Sequence, residues 1–119
     1  KQARPGNRVG HISQKIQEII EGAGYSCARN LTGHGIGRKL HEPPSIPCFL
    51  QGRIEETPLL KSGMTIAIEV IYCMGEPNLV VDFKDKWTIK TKDDKMSAVF
   101  EETMAIDKKG ALVLTKLPF

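Results

Sequence analysis

Four side chains in this sequence have the types and settings that metal-dependent chemistry needs. His34 stands between glycines in residues 33–37 (GHGIG), where the bare backbone can come close to whatever the imidazole touches. His41 follows seven residues later, directly before a proline-rich stretch that would hold its loop stiff. Glu69 and Glu101 each lie within an apolar segment. Histidine and carboxylate ligands suit Zn, Mn, Co or Fe, so one histidine and the two glutamates could hold a metal. The stiff loop could position His41 as a substrate-contacting group.

Other interpretations of these residues stay open on the sequence alone. Residues 33–37 do not begin a dinucleotide-binding loop, because the pattern G-x-G-x-x-G would need glycine where Arg38 stands. A flexible turn with an incidental histidine fits the segment equally well. A surface histidine is the commoner outcome for a position such as His41, and structural salt bridges would also explain the two glutamates.

The segment around Glu69 predicts a strand. Residues 64–72 (MTIAIEVIY) are apolar or small on both sides of the glutamate, which is typical of a strand buried on both faces. A buried carboxylate without a partner costs several kcal/mol, so we expect Glu69 to face Lys, Arg or a metal. Strand alternation puts Thr65 and Ala67 on the same face, which leaves room for a ligand.

Glu101 and Glu102 are neighbours in a second predicted strand, residues 97–106. Adjacent strand residues point to opposite faces, so at most one of the pair serves the same site. Glu102 shares its face with the larger apolar side chains, and Glu101 shares its face with smaller ones. Periodicity alone does not choose between them, and the small residues on the face of Glu101 favour it only weakly.

The elements that must position these residues form an α+β pattern, one helix followed by mostly antiparallel strands. Apolar residues recur at helical spacing over residues 9–21, glycines then end the helix, and His11 is assigned to its surface. Residues 30–41 are predicted to be irregular, and the prolines of residues 42–47 exclude a helix. Further short strands are predicted for residues 25–29, 57–60, 79–83, 87–92 and 111–115.

Composition bounds the possible functions. The 119 residues are 40% apolar and 26% charged, which excludes collagen, a disordered tail and a membrane span. The net charge is +3, and the lysines of residues 84–95 alternate with aspartates. We interpret that stretch as a solvated hairpin rather than a nucleic-acid footprint. Cys27, Cys48 and Cys73 form no C-x-x-C pair and are interpreted as reduced thiols of a cytosolic protein.

Three segments together resemble type I methionine aminopeptidases. They are residues 33–44 (GHGIGRKLHEPP), 60–69 (LKSGMTIAIE) and 87–103 (WTIKTKDDKMSAVFEET). The resemblance runs in order along nearly the whole chain. Its third segment points to the methionine enzymes rather than to the prolidases that share their fold.

The resemblance implies the pita-bread fold. In that fold two pseudo-symmetric α+β halves curve a mostly antiparallel sheet around a dinuclear metal site, with helices on the outer face. Residues 1–119 would then be a single partial domain, the C-terminal half of the catalytic domain. The missing N-terminal half would carry two aspartate ligands and a further histidine. We therefore expect the 119-residue chain alone to be inactive.

The resemblance also implies roles for the site residues. His34, Glu69 and Glu101 look like ligands of two divalent ions (Co, Mn, Fe or Zn), with Glu101 bridging both. A water activated by these ions would attack the peptide bond. Glu69 would act as a catalytic group that relays the proton to the leaving amine, and His41 would stabilise the reacting amide by a hydrogen bond.

The implied substrate is the N-terminal methionine of a nascent chain. His41, Leu40 and Trp87 look like substrate-binding residues, the last two near the methionine pocket. The resemblance implies a nascent peptide and the ribosome as partners, no membrane partner, and a location in the cytoplasm or in an organelle with its own translation.

Departures from the family pattern keep two alternatives open. Val70 stands where the family has proline, Val99 where it has glutamine, Glu102 where it has histidine, and Pro43 where it has an acidic residue. These changes surround the site and put its tuning in doubt. A related prolidase-type metallopeptidase and a non-catalytic pita-bread binding protein therefore remain alternatives.

Overall fold

The computed structural model describes residues 1–116. Within them lie one α-helix, one short 3₁₀ helix (Ile54–Glu56) and eight strands. The elements are, in chain order, α1 (Val9–Gly22), β1 (Ser26–Cys27), β2 (Thr32–Gly35), β3 (Glu42–Pro47), β4 (Thr65–Cys73), β5 (Leu79–Val81), β6 (Ile89–Thr91), β7 (Ser97–Asp107) and β8 (Gly110–Val113). The predicted α+β class is confirmed.

Six of the strands form one antiparallel sheet. The order is β3-β2-β4-β7-β8, and β1 pairs with the end of β4 beyond β2. The long strands β4 and β7 pair along the whole of β4, from Thr65 opposite Ala105 to Cys73 opposite Ser97. β5 and β6 form a separate two-stranded hairpin. The two glutamate strands are therefore direct neighbours at the centre of the main sheet.

Helix α1 packs against one face of this sheet. Val9 and Ile12 of the helix join Ile46, Ile66 and Ile106 of the strands in a buried cluster. Burying such apolar side chains contributes about 1.5–3 kcal/mol each. Because strand side chains alternate, the residues between these core positions point to the opposite face of the sheet. That opposite face carries Glu69 and Glu101.

The start of α1 corrects the assignment of His11 to the surface. His11 is half-buried, and its Nδ1 accepts the backbone N–H of Arg8 at 3.0 Å. The imidazole thereby satisfies an N–H group that the helix itself leaves without a partner. A second contact holds the same turn, since the Thr57 hydroxyl accepts the N–H of Gly10 at 2.9 Å.

Strand β2 contradicts the prediction that residues 30–41 are irregular. Thr32–Gly35 pair with β3 on one side and, through His34 and Gly35, with β4 on the other. Glycine permits this close approach, because a Cβ on Gly33 would lie 2.5 Å from the carbonyl oxygen of Ala67. Local glycine content therefore indicated a loop where tertiary pairing forms a strand. The proline-rich β3 is not helical, as predicted, and lies at the edge of the sheet, where missing N–H groups are tolerated.

Several predicted strands are shorter than expected. Residues 25–29 and 79–83 contain only β1 and β5, and residues 57–60 contribute one isolated bridge between Leu59 and Arg8. In residues 87–92 only β6 is a strand, because the Asp85 carboxylate accepts the N–H groups of Trp87 and Thr88 and forms a turn. Residues 111–115 overlap β8. Nowhere in residues 1–116 is a helix both long and apolar enough to cross a membrane.

Candidate metal centre

His34, Glu69 and Glu101 meet on the sheet face opposite α1. His34 on β2 pairs with Ala67 on β4, and Glu69 lies two residues further along the same face. Glu69 is directly opposite Glu101 on β7. One ligand atom from each of the three side chains lies within 4.8 Å of the other two. Metal–ligand bonds of about 2.0–2.2 Å would require only a small inward movement of the side chains.

The register between β4 and β7 decides between the two adjacent glutamates. Glu102 is opposite Ile68, on the face that packs against α1. Glu101 is opposite Glu69, on the other face. The choice that periodicity left open is thus made by cross-strand pairing, and it brings Glu101 to the cluster.

A backbone hydrogen bond orients His34. Its Nδ1 lies 2.8 Å from the carbonyl oxygen of Gly35. Because a carbonyl only accepts, Nδ1 carries the proton in the neutral imidazole, and the lone pair of Nε2 is free. Nε2 lies 3.4 Å from Oε1 of Glu69, so the lone pair points into the carboxylate cluster. This is the arrangement in which a backbone partner orients a metal-ligating histidine.

The electrostatics of the cluster favour a cation. Burial raises the pKa of Glu69 above its usual value, and the nearby charge of Glu101 raises it further, against the lowering effect of His34 and His41. Only 20% of the Glu69 side chain is exposed. Two facing carboxylates beside a free imidazole nitrogen are unfavourable alone and well suited to a divalent ion. The residues present therefore fit a metal.

His41 lies against the cluster. Its ring is 4.4 Å from the ring of His34, centroid to centroid, in an edge-on arrangement. The loop before it is held by Glu42, whose carboxylate accepts the N–H of Lys39 at 2.9 Å. Leu40, the neighbour of His41, is 66% exposed. The contact of His41 and Leu40 with a substrate stays a prediction.

Trp87 lies apart from the main sheet. It follows the turn of the β5–β6 hairpin, is 86% exposed, and borders an open recess of about 520 Å³ whose other lining residues also belong to the hairpin. Its assignment to a methionine pocket stays a prediction. The lysines of residues 84–95 are all exposed, which confirms the interpretation of this stretch as a solvated hairpin.

Cys48 also belongs to the site, although its local sequence gives no sign of this. It is fully buried, and its thiol contacts the backbone of β4 next to Glu69, with Sγ 3.0 Å from the Glu69 carbonyl oxygen. Burial raises the pKa of the Cys48 thiol, which keeps the S–H that can donate to this carbonyl. The two residues are 21 positions apart, so no local pattern indicates the contact.

A histidine and two glutamates on the sheet face opposite α1 form a group that could hold a metal ion. The chain belongs to metallopeptidase family M24, whose family model matches residues 1–108. It is 42% identical to a methionine aminopeptidase of Aquifex aeolicus over 98% of its own length and 45% of that relative.

Solved structures agree on the fold. A methionine aminopeptidase from Thermotoga maritima matches 96% of this chain and 45% of its own, with a TM-score of 0.89 and 42% identity. A prolidase from Pyrococcus furiosus matches all of this chain and 28% of its own, with a TM-score of 0.69 and 27% identity. The predicted pita-bread fold is confirmed. The chain spans less than half the length of these proteins.

Proposed function

We propose that this chain forms the C-terminal half of a methionine aminopeptidase catalytic domain. Its function would be the metal-dependent removal of N-terminal methionine from new proteins. The observation that carries the proposal is the convergence of His34, Glu69 and Glu101, with His41 against them, on one face of the sheet. The likeness to methionine aminopeptidases, which exceeds the likeness to prolidases, supports the substrate class.

Each residue of the cluster has a part in this proposal. His34, Glu69 and Glu101 would supply part of the ligand set for two divalent ions, Co, Mn, Fe or Zn. When bound, such ions lower the pKa of a shared water and polarise the scissile carbonyl. Glu69 takes up a proton from the attacking water and passes it to the leaving amine. His41 donates a hydrogen bond to the reacting amide.

The proposal includes partners outside this chain. Three ligands are too few for two ions, so an upstream half of the same fold supplies the remaining ones. Leu40 and Trp87 line the methionine pocket when that half is in place. The substrate is a nascent chain, met near the ribosome in the cytoplasm or in an organelle with its own translation.

The test uses two forms of the protein. The 119-residue chain and a fusion carrying the upstream half of the Aquifex aeolicus relative are each given a Met-Ala-Ser peptide with Mn²⁺ or Co²⁺. We expect methionine release from the fusion only, its abolition by EDTA, and its loss in a Glu101→Gln fusion. A Gly-Pro dipeptide serves as the prolidase substrate.

Three outcomes would contradict parts of this proposal. Metal-dependent release by the 119-residue chain alone would refute the incomplete site. Cleavage of the Gly-Pro dipeptide alone would assign the chain to the prolidase activity. A Glu101→Gln fusion as active as its parent would refute the ligand assignment.

A further inference from the structure

The edge of β4 that faces β2 and β1 has a break beside Glu69. β2 pairs with β4 at Ala67 through His34, and β1 pairs with β4 at Tyr72 through Cys27. Between these two points the chain leaves the sheet as it passes from β1 to β2. The backbone groups of β4 in the break must therefore find partners other than a continuous neighbouring strand.

The thiol of Cys48 occupies this break. It donates to the carbonyl oxygen of Glu69, with Sγ 3.0 Å away, and accepts the N–H of Ile71 at 3.3 Å. A single side chain thereby satisfies backbone groups on both sides of Val70. Cys48 is fully buried and packs with Ala28 and Ile71, so the thiol lies in apolar surroundings.

We propose that Cys48 is a positioning residue for Glu69. Its two hydrogen bonds fix the peptide groups that follow Glu69 and so set the direction in which the carboxylate leaves the strand. That direction places the Glu69 carboxylate beside Nε2 of His34 and opposite Glu101. The part of this inference that concerns metal binding rests on the proposed function.

Loss of the thiol has a defined physical consequence. The Glu69 carbonyl and the Ile71 N–H group would lose their hydrogen-bond partner, which is destabilising for groups shielded from water. The backbone around Val70 would shift to recover hydrogen bonds. The Glu69 carboxylate would move with it, and metal affinity is sensitive to such shifts in the groups that orient a ligand.

The first measurement is Mn²⁺ affinity of the full 119-residue chain by isothermal titration calorimetry. Cys48→Ala should weaken binding by about 10-fold or more, as removal of groups that orient metal ligands commonly does. Cys48→Ser keeps a donor and an acceptor and should recover most of the affinity. The matched control is Cys73→Ala, because Cys73 is also fully buried and lies on β4, the strand that carries Glu69. Equal weakening in Cys48→Ala and Cys73→Ala, or none in either, would overturn the proposal.

The second measurement needs no metal. In chelator at constant pH, NMR follows the Cε1–H signal of His34 and the amide exchange of Ile71. We expect Cys48→Ala to shift the His34 signal and to speed the exchange, and Cys73→Ala to do neither. If Cys48→Ala speeds the amide exchange of Ile71 but leaves the His34 signal unmoved, Cys48 only stabilises the local structure. That outcome would refute its role in positioning the Glu69 carboxylate. A parent chain that binds no Mn²⁺ would refute metal binding by His34, Glu69 and Glu101 without the upstream half, while the NMR result would still decide the role of Cys48.

Discussion

Replacing Glu69 with glutamine should make the metal-free chain more stable at neutral pH. Glu69 lies directly opposite Glu101, and like charges in that position are destabilising by about 0.2–1 kcal/mol. Glutamine removes the repulsion at almost constant volume. Its amide can also donate to Nε2 of His34, where the carboxylate now places only an oxygen at 3.4 Å. One neutral hydrogen bond contributes about 0.5–1.5 kcal/mol, so we expect a total gain of about 1–2 kcal/mol.

The gain should depend on pH in a defined direction. Burial and the charge of Glu101 raise the pKa of Glu69 above its reference value of 4.5, so the folded chain holds this proton more tightly than the unfolded chain. The resulting contribution to the parent's stability is fully present below pH 4.5 and is lost as pH rises through the folded pKa. The difference in free energy of unfolding between Glu69→Gln and the parent should therefore be absent near pH 4 and increase as pH rises to 7.

The assay is urea unfolding followed by circular dichroism, in EDTA and in Mn²⁺. In EDTA at pH 7 the Glu69→Gln chain should need more urea, whereas Mn²⁺ should stabilise the parent more than the variant, because only the parent keeps the full ligand set. Glu102→Gln is the matched control, since it removes the same charge from the opposite face. A Glu69→Gln chain less stable than its parent in EDTA at pH 7, or a stability gain equal at pH 4 and pH 7, would contradict repulsion between Glu69 and Glu101.

Three further predictions concern the frame of the site. Gly33→Ala should lower the free energy of unfolding by about 1–3 kcal/mol, because its Cβ would lie 2.5 Å from the carbonyl oxygen of Ala67; Gly22→Ala, with open space around it, is the control in the same urea assay. Trp87→Ala should change that free energy by less than about 0.5 kcal/mol, because the side chain is exposed, and should raise KM for Met-Ala-Ser in the fusion. Burial raises the pKa of Cys27 to about 11, above its reference value of 9.0, so stability should fall as pH rises between these values. In urea titrations, Cys27→Ala should remove this contribution to the fall in stability, which is up to about 1.4 kcal/mol per pH unit. The prediction is wrong if the free energy of unfolding falls equally steeply with pH in both chains.

Local pattern was enough to predict the long elements. Helix α1 and strands β4 and β7 begin and end within a few residues of their predicted bounds. Helix α1 has apolar residues at helical spacing, and both strands are long segments of mostly apolar or small residues. The α+β class and the two glutamate strands followed from these elements.

Elements without a strong local signal were predicted less well. Residues 30–41 were predicted to be irregular because glycine has little intrinsic preference for strands, yet Thr32–Gly35 form β2. His11 was assigned to the surface because nothing in its neighbours reveals that the N–H of Arg8 needs an acceptor. In both cases a partner supplied by the folded backbone outweighed the local preference.

The residue types of the site and the strands that carry them can be read from the amino-acid sequence. His34 among glycines, Glu69 in an apolar strand and the adjacent Glu101 and Glu102 are visible as letters, and alternation along a strand follows from its two-residue period. In contrast, the folded chain is needed to see that Glu101 faces Glu69 and that the Cys48 thiol reaches the backbone of β4. Both contacts depend on strand register and on packing between segments that are distant along the chain. A local sequence pattern contains no information about which strand faces pack together.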